Sequence, residues 1–521
     1  MLKNLLFTIY ISACSIGTLS SQPLVEWVSR CHETARNFYV YDAAIDENEN
    51  IYLTGSDFVY DNKLIKVNAA GNIVWIRTNA FASGYHIKLD NAGNIYLGGF
   101  KDNLYEDFWV TKYDPEGNVI WENSYPHSGY HSDVCLDMII DNAGNVYATG
   151  YISSLTGYKE YCTIKYNSDG TRNWVNIFHY GVDYLDVAKS ITLDNNNNVL
   201  ITGEVYDSTS ALVNCTIKYN NAGDLVWYKI IPGNLFEAEK IFYRAPNIFV
   251  TGGAVVNAIG TASYNSNGDM NWLRVTPAGT GGPNDILIDN IGNLVITGQL
   301  FDSVSQTYSA HLLKYSLSGT LLWAISHTSG NYSFGKSLCL DEYSNVYVLG
   351  AENPNSNNNL FTMKYNENGN RIWFQPYMNN IDSFYTPVKI LHSNDKVYSI
   401  ANVLRRDSLR YEALIIKYSQ TIGIQPISSE TPNQFSLSQN YPNPFNPTTK
   451  IRFEISGQSV AQTFLSVYDV TGKEIDILVN AELKPGTYEV NWNASSYPSG
   501  VYFYNLSTGS FTETKKMILM K

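Results

Sequence analysis

The sequence predicts an all-β protein: an eight-bladed β-propeller closed by its N-terminal strand, followed by a small Ig-like β-sandwich. Three observations lead to this prediction. Two short phrases alternate eight times along the chain, an unmatched tryptophan strand precedes the first copy, and the composition changes after Pro426. At 521 residues, the chain is longer than one simple core normally supports, which indicates repeats or several domains.

The two phrases define a repeat of about 50 residues, within the range of propeller and solenoid repeats. The first, Asp-x-x-Gly-Asn-x-Tyr-x-x-Gly with substitutions, begins at Asp46, Asp90, Asp141, Asp194, Tyr243, Asp289, Asp341 and His392. The second, Lys-Tyr-Asn-x-x-Gly-x-x-x-Trp, begins at Lys66, Lys112, Lys165, Lys218, Ser263, Lys314, Lys364 and Lys417. Each unit holds four short segments rich in Ile, Val, Tyr and Trp, which predicts four antiparallel strands per unit.

Both phrases have the residues of tight turns. An Asp or Asn side chain can accept a hydrogen bond from the backbone two residues on, and Gly then adopts the left-handed conformation that closes a hairpin. The recurring Asp is also a calcium ligand type, but turn capping needs no ion, so we interpret it as structural.

Ring closure is predicted from the tryptophans. The last unit, at Lys417–Pro426, lacks the tryptophan that the other seven units carry, whereas Trp27 stands in "LVEWVS" ahead of any repeat. An N-terminal strand that completes the final blade would supply the missing side chain and remove an open sheet edge. The fixed place of the aromatic residues in every repeat indicates packing between blades rather than carbohydrate stacking.

The repeat region resembles the β-propeller repeats of secreted bacterial proteins known as SBBP repeats. The resemblance covers about residues 25 to 425 and implies a fold and a surface location, but no reaction. We predict a signal peptide over residues 1–21, because a short apolar run follows Lys3 and small residues follow that run. The predicted propeller then covers residues 22–425. The alternative for the N-terminus is a lipobox ending at Cys14.

The rest of the chain divides into a polar linker over residues 426–434 and a module over 435–521. The module contains "YPNPFNP", "YDVTGKEI", "GVY" and a Lys-rich final strand, in which short β segments alternate with turns. It resembles the type A C-terminal sorting domain of the type IX secretion system. The resemblance implies recognition by the secretion machinery, cleavage, and attachment to surface lipopolysaccharide. It places the sorting signal at Pro442, Pro444, Gly500, Val501, Tyr502, Lys516 and Lys521.

Four acids lie at or near the predicted first strands of their units: Asp42, Asp133, Asp186 and Asp285. They do not share one register, but they could line the mouth of a channel and bind a cation or ligand. His127 and His131 with Asp133 offer a metal-ligand set, although a loop does not align them, and we interpret them as polar loop residues. The five cysteines that follow the signal segment fit no zinc spacing.

No sequence motif identifies a catalytic site. Nucleophile-elbow, zinc-protease and phosphate-loop patterns are all missing from the sequence. A quinoprotein-like propeller shares the Gly-x-x-x-Trp spacing, but the residue before the Gly is shifted and no adjacent Cys pair is present. We therefore predict no catalytic residue, no metal and no cofactor.

We expect a secreted or surface-displayed binding and scaffold protein that reaches the outer surface through the periplasm. Its expected partners are the type IX machinery, surface lipopolysaccharide, and an extracellular protein or glycan. The net charge of −13 argues against nucleic acid, which needs a basic surface. The alternative function is an extracellular propeller hydrolase or lyase acting on polysaccharide.

Overall fold

The computed structural model describes most of the chain after residue 22. The described ranges are 23–31, 37–57, 61–102, 105–126, 132–181, 185–207, 209, 211–231, 238–254, 258–276, 280–302, 304–353, 359–379, 381–419, 424–428, 431–457, 459, 461–494, 497–509 and 511–520. These residues form strands and turns without a helix. Accordingly, no helix in the described part of the chain has the length and apolar character to cross a membrane.

The chain divides into two compact units. The ring unit comprises Val25–Gln420, and the C-terminal unit begins at Thr421.

The ring unit contains 32 strands in eight sheets of four, numbered here along the chain. Strand β1 (Leu24–Cys31) precedes sheet 1 in the chain and belongs to sheet 8. Sheet 1 contains β2 (Tyr39–Ile45), β3 (Ile51–Ser56), β4 (Asn62–Val67) and β5 (Ile73–Asn79). Sheet 2 contains β6 (Ala82–Leu89), β7 (Ile95–Asp102), β8 (Glu106–Tyr113) and β9 (Val119–Tyr125). Sheet 3 contains β10 (Val134–Ile140), β11 (Val146–Ser153), β12 (Lys159–Tyr166) and β13 (Arg172–Phe178).

The next three sheets repeat this order. Sheet 4 contains β14 (Val187–Leu193), β15 (Val199–Tyr206), β16 (Leu212–Tyr219) and β17 (Leu225–Ile231). Sheet 5 contains β18 (Ala238–Arg244), β19 (Asn247–Ala254), β20 (Ala258–Tyr264) and β21 (Met270–Val275). Sheet 6 contains β22 (Thr280–Ile288), β23 (Leu294–Asp302), β24 (Thr307–Tyr315) and β25 (Leu321–His327).

The last two sheets differ in how they end. Sheet 7 contains β26 (Ser333–Leu340), β27 (Val346–Glu352), β28 (Asn359–Tyr365) and β29 (Arg371–Tyr377). Sheet 8 contains β30 (Asp382–Ser393), β31 (Lys396–Arg405) and β32 (Tyr411–Ser419), and its fourth strand is β1, the hydrogen-bonded neighbour of β32. This confirms the prediction that the N-terminal strand completes the final sheet.

The eight sheets form a closed ring. The first strand of each sheet contacts the first strand of the next, from β2 through β6, β10, β14, β18, β22, β26 and β30, and β30 returns to β2. Four-stranded antiparallel sheets arranged radially about an axis constitute a β-propeller, with the first strands around the central channel.

Buried apolar residues fill the space between neighbouring sheets. Between sheets 8 and 1, Tyr398 and Ile400 pack with Val40 and Leu53, and Trp27 lies against the same cluster. The interface across the chain ends therefore has a hydrophobic core like the interfaces elsewhere in the ring.

The repeated tryptophans join each sheet to the next. In sheet 5, the Trp272 indole N–H donates to the carbonyl of Leu317 in sheet 6 at 2.9 Å, and its ring covers Gly319 in the same turn. Trp27 repeats this contact from sheet 8 to sheet 1, donating to Ala69 at 3.1 Å and covering Gly71. The Gly in the second phrase is thus needed both for its positive φ and for the close approach of an indole.

Gly319→Ala is expected to destabilise the ring unit more than Gly93→Ala. The two glycines have φ values of +77° and +79°, so a side chain costs about 1–2 kcal/mol at either position. At Gly319 a Cβ would also lie 2.6 Å from Trp272, whereas at Gly93 the nearest atom, on Pro115, is 3.5 Å away. Chemical denaturation should show about 1–3 kcal/mol of additional loss for Gly319→Ala. Equal losses would contradict the assigned docking of Trp272.

The C-terminal unit contains two four-stranded sheets that share one hydrophobic core. The first sheet, in spatial order, contains β33 (Ile424–Ser428), β38 (Gly486–Asn493), β35 (Thr448–Ile455) and β34 (Ser436–Leu437). The second contains β37 (Glu474–Leu483), β36 (Ala461–Tyr468), β39 (Gly500–Thr508) and β40 (Phe511–Leu519). Phe453 and Trp492 of the first sheet pack with Leu465 and Tyr504 of the second, as in a β-sandwich.

The structure corrects part of the predicted linker over residues 426–434. Residues 424–428 form β33, which pairs antiparallel with residues 487–490 of β38. The strand is missed in the sequence because its pairing partner lies about 60 residues further along the chain.

Candidate functional site

The Asp of the first phrase accepts hydrogen bonds within its turn and forms an ion pair with the Lys that begins the second phrase. Asp289 Oδ1 accepts the backbone N–H groups of Ile291 and Asn293, and Oδ2 accepts the Asn293 amide. Lys314, which begins the second phrase of the same unit, places its Nζ 2.8 Å from Asp289 Oδ2. Both carboxylate oxygens are engaged by protein donors, which supports the structural interpretation of the repeated Asp.

A β-bulge recurs on the innermost strand of every sheet. In each sheet the pairing of first and second strands skips one residue at this bulge, and in sheet 8 it also skips Ser383. The skipped residues are Tyr41, Tyr85, Leu136, Lys189, Glu239, Asn284, Lys336 and Val388. The residues that follow them, here called the axial positions, are Asp42, His86, Asp137, Ser190, Lys240, Asp285, Ser337 and Lys389. Bulges redirect side chains, and both sets vary in residue type from sheet to sheet, unlike the turn phrases.

The axial side chains converge on the channel. Lys389 of sheet 8 has a raised pKa because of the carboxylates of Asp42, Asp285 and Asp137, which come from sheets 1, 6 and 3. The Lys389 side chain is 36% exposed although charged groups from around the ring act on it, as expected for a group lining a solvent-filled channel.

Asp42 bridges three sheets. Its carboxylate accepts the N–H of Ala43 at 2.9 Å within its own strand and the N–H of Ile87 at 3.3 Å in sheet 2. Lys389 Nζ lies 3.6 Å from Oδ1, and His86 Nδ1 lies 3.7 Å from Oδ2. Burial opposes ionisation, but Lys389 and His86 together hold the pKa of Asp42 far below its usual range.

Two other axial acids bind in the same way. Asp137 accepts the hydroxyl of Ser190 at 2.9 Å and the N–H of Ile191 at 3.2 Å, both in sheet 4. Asp285 accepts the N–H of Leu338 in sheet 7 at 2.9 Å. Burial of Asp137 is outweighed by Lys240, Lys88 and His86, so its pKa is also lowered. All three axial carboxylates therefore connect neighbouring sheets through hydrogen bonds.

The four sequence-predicted acids occupy two levels of the ring. Asp42 and Asp285 are axial residues, whereas Asp133 and Asp186 lie just before β10 and β14, at the starts of the first strands. Asp137 was not among the predicted acids. It stands four residues before the turn Asp141, as Asp42 stands before Asp46, so alignment on the turns would have found it.

Asp133 and Asp186 contact backbone groups at the edge of the ring. Asp133 accepts the N–H of Ser153 at 2.7 Å. Asp186 accepts the N–H of Tyr180 at 2.8 Å, and His179 Nδ1 lies 3.2 Å from the same oxygen. Burial raises the pKa of Asp186, against the effect of these donors.

Acid should weaken the ring unit. A carboxyl with a lower pKa in the folded state contributes stability above its unfolded pKa of about 3.9, and this contribution is lost as pH falls. The group includes Asp42, Asp90, Asp137, Asp194, Asp289 and Asp341. Asp186 acts in the opposite sense, because its pKa is raised. Urea midpoints should be similar at pH 7 and 5 and fall below pH 4, and a midpoint maintained at pH 3 would contradict this assignment.

Three axial-channel lysines have no ion pair within the described residues. Lys88, Lys240 and Lys336 lie on the first strands of sheets 2, 5 and 7. Lys336 is exposed, and the other two are half-buried. Burial and the charges of Lys240 and Lys389 lower the pKa of Lys336, whereas the charges of Asp285 and Glu239 act in the opposite sense.

A separate group of side chains could hold a cation. Glu342, His392 and Asp395 offer ligand atoms that lie within 4.8 Å of one another. The sequence analysis missed this group because Glu342 lies some 50 residues from the other two. The predicted loop histidines His127 and His131, the signal segment 1–21 with Cys14, and Lys521 lie outside the described residues.

The described sorting-signal residues lie close together in the C-terminal unit. Gly500, Val501 and Tyr502 begin β39 and pair with the end of β40, which also contains Lys516. The loop with Pro442 and Pro444 reaches the same strand.

That loop is fixed by hydrogen bonds and by one buried side chain. Asn443 Oδ1 accepts the N–H of Ile518 at 2.9 Å, and Phe445 is buried against Trp492. Tyr441 projects from the same loop with 79% of its surface exposed. The loop and the end of β40 therefore form one continuous surface.

The C-terminal segment matches a known family. Residues 439–520 match the family described as "Secretion system C-terminal sorting domain". A domain of this kind directs export by the type IX secretion system to the cell surface or the extracellular space, and it interacts with the machinery of that system. The protein is therefore a secreted β-propeller protein. No curated protein matches the chain.

Several solved structures are similar to the chain at low identity. The Dos1 propeller has a TM-score of 0.43 and 11% identity, over 60% of this chain and 75% of that one. An ulvan lyase of polysaccharide lyase family PL25 has a TM-score of 0.40 and 10% identity, over 64% of this chain and 91% of that one. Drosophila plexin A in complex with semaphorin 1b has a TM-score of 0.40 and 9% identity, over 78% and 88%. No functional conclusion follows from similarities at this level.

Proposed function

We propose that the protein is a non-catalytic binding and scaffold protein: an eight-bladed propeller of SBBP type, displayed on the outer surface, that holds an extracellular protein or glycan. A signal peptide over residues 1–21 starts its export, and an Ig-like sorting domain over the C-terminal region completes it. That domain is then removed, and the propeller is attached to surface lipopolysaccharide.

The hydrogen bonds of the axial carboxylates, together with the lowered pKa of two of them, support this proposal. Asp42, Asp137 and Asp285 each accept backbone N–H groups from two sheets. The pKa values of Asp42 and Asp137 are lowered. A general acid needs a carboxyl that carries a proton near the working pH, so Asp42 and Asp137 are unsuited to the general-acid role in glycoside hydrolysis. They stabilise a rigid ring, and the skipped residues, which vary from sheet to sheet, lie beside them on the innermost strands.

The second candidate is an extracellular polysaccharide hydrolase or lyase. This function is favoured by the pairing of His179 with Asp186 and by the raised pKa of the Asp186 carboxyl. A carboxylate can orient an imidazole for proton transfer, as in other His–Asp pairs.

A parallel binding and product assay separates the two candidates. The purified full-length protein is applied to a glycan array and to extracellular matrix proteins, and each glycan is also incubated with it and analysed for shortened or unsaturated products. We expect binding without products. Products that disappear in Asp186→Asn but persist in the exposed-site control Asp169→Asn would replace the binding function with the enzymatic one.

A further inference from the structure

The axial channel carries positive charge that its carboxylates do not pair directly. Asp42 contacts Lys389, but Asp137 and Asp285 are held by serine hydroxyls and backbone N–H groups. Lys88, Lys240 and Lys336 have no ion pair within the described residues. Each ammonium has three N–H donors and no acceptor, so these groups are suited to an oxyanion.

The three lysines come from different sheets, but their charges affect the same small set of groups. Lys240 and Lys88 both lower the pKa of Asp137, and Lys240 and Lys389 both act on Lys336. Lys240 follows the skipped residue of β18 and Lys336 is the skipped residue of β26, and these innermost strands surround the channel, where low-dielectric walls strengthen the field of a charge. Lys336 is a skipped bulge residue and is exposed, so a ligand in the channel can reach it.

An aromatic pair occupies the skipped position in sheets 1 and 2. Tyr41 and Tyr85 contact edge to face, with their ring centroids 4.9 Å apart. Both are half-buried, and they come from sheets 1 and 2, whereas Lys336 lies on the first strand of sheet 7. Tyrosine rings present an apolar surface with a polar end, which suits a saccharide ring.

We propose that the axial channel is an oxyanion-binding site in which Lys88, Lys240 and Lys336 receive the carboxylate or sulfate group of an acidic saccharide. This inference rests on the proposed binding function and specifies the chemistry of its ligand. The negative charge of the ligand pairs directly with these ammonium groups, and the tyrosine pair contacts the sugar ring.

Titration calorimetry of the full-length protein tests the site with three probes at constant ionic strength: sodium sulfate, an oligogalacturonate, and the same oligosaccharide with its carboxyls methyl-esterified. We expect sulfate and the acidic oligosaccharide to bind, and the neutral ester to bind at least 10-fold more weakly than the acid. Lys336→Gln should weaken both anions about 10-fold. The exposed lysine in Lys450→Gln serves as the matched control and should have no effect.

The outcomes show whether the site exists and, separately, whether its anion belongs to a saccharide or is a free oxyanion. If Tyr85→Ala weakens the binding of the oligosaccharide but not of sulfate, the ligand is a saccharide. If sulfate and the oligosaccharide bind with equal affinity, the ligand is a free oxyanion at the same lysines. Lys240→Gln repeats the test if Lys336→Gln alters the melting temperature. Absence of binding by both anions, or binding unaffected by either lysine variant, overturns the site. Glycan products in the assay above would instead overturn the non-catalytic function, independently of sulfate binding.

Discussion

Lys314→Ala is expected to lower the free energy of unfolding of the ring unit by about 3–5 kcal/mol, because it leaves the buried carboxylate of Asp289 without its cation. The side chains of Lys314 and Asp289 are 2% and 0% exposed. Lys314 also donates to the carbonyl of Glu367 in sheet 7 at 3.0 Å, so the substitution removes a link between two sheets. Denaturation of the full-length protein, followed by tryptophan fluorescence, measures the loss.

Lys112→Ala is the matched control, since Lys112 has the same place in sheet 2. Its Nζ lies 3.9 Å from Asp90 Oδ2, and that oxygen also accepts the Tyr96 hydroxyl at 2.9 Å. Sheet 6 has Val295 in place of this tyrosine, so Asp289 depends more on its lysine. The loss in Lys112→Ala should be about 1 kcal/mol or less. Equal losses at the two positions would contradict the assigned role of the buried pair.

Arg30→Ala is expected to cost about 3 kcal/mol by weakening the attachment of β1 to sheet 8. The Arg30 guanidinium binds Asp382 through two hydrogen bonds of 2.7 and 3.0 Å, and the Asp382 side chain is fully buried. Such bidentate pairs fix geometry as well as charge. The measurement is the denaturation midpoint of the full-length protein.

The control for Arg30→Ala is Arg244→Ala, at an exposed position of β18. It should change the stability by less than about 0.5 kcal/mol, as is usual for surface substitutions without buried partners. An Arg30→Ala effect no larger than that of Arg244→Ala would mean that β1 does not hold the last sheet.

The repeat made the strands and turns predictable from the sequence. Turn residues at fixed offsets and β-rich segments are local signals, and the missing tryptophan after Lys417 pointed to Trp27. The structure places β1 beside β32, with Glu26 3.3 Å from Lys417. The pairing of β1 with β32 could be predicted, although the two strands are far apart in the chain, because the last unit lacks a tryptophan that the N-terminal strand supplies.

The axial site was less predictable, because it depends on strand register. The bulge that skips Tyr41 and Lys336 becomes visible only when the first and second strands are paired. The Asp289–Lys314 pair likewise joins two phrases that become neighbours only after the hairpin forms. Lys336 carried no local signal, since a lone lysine in a strand is ordinary surface composition.

Hydrogen–deuterium exchange of the full-length protein tests ring closure most directly. If β1 is the fourth strand of sheet 8, its amides should be protected as strongly as those of β5 and β9, the fourth strands of sheets 1 and 2. Exchange of residues 24–31 at the rate of an unfolded peptide, while β5 and β9 stay protected, would contradict the closed ring.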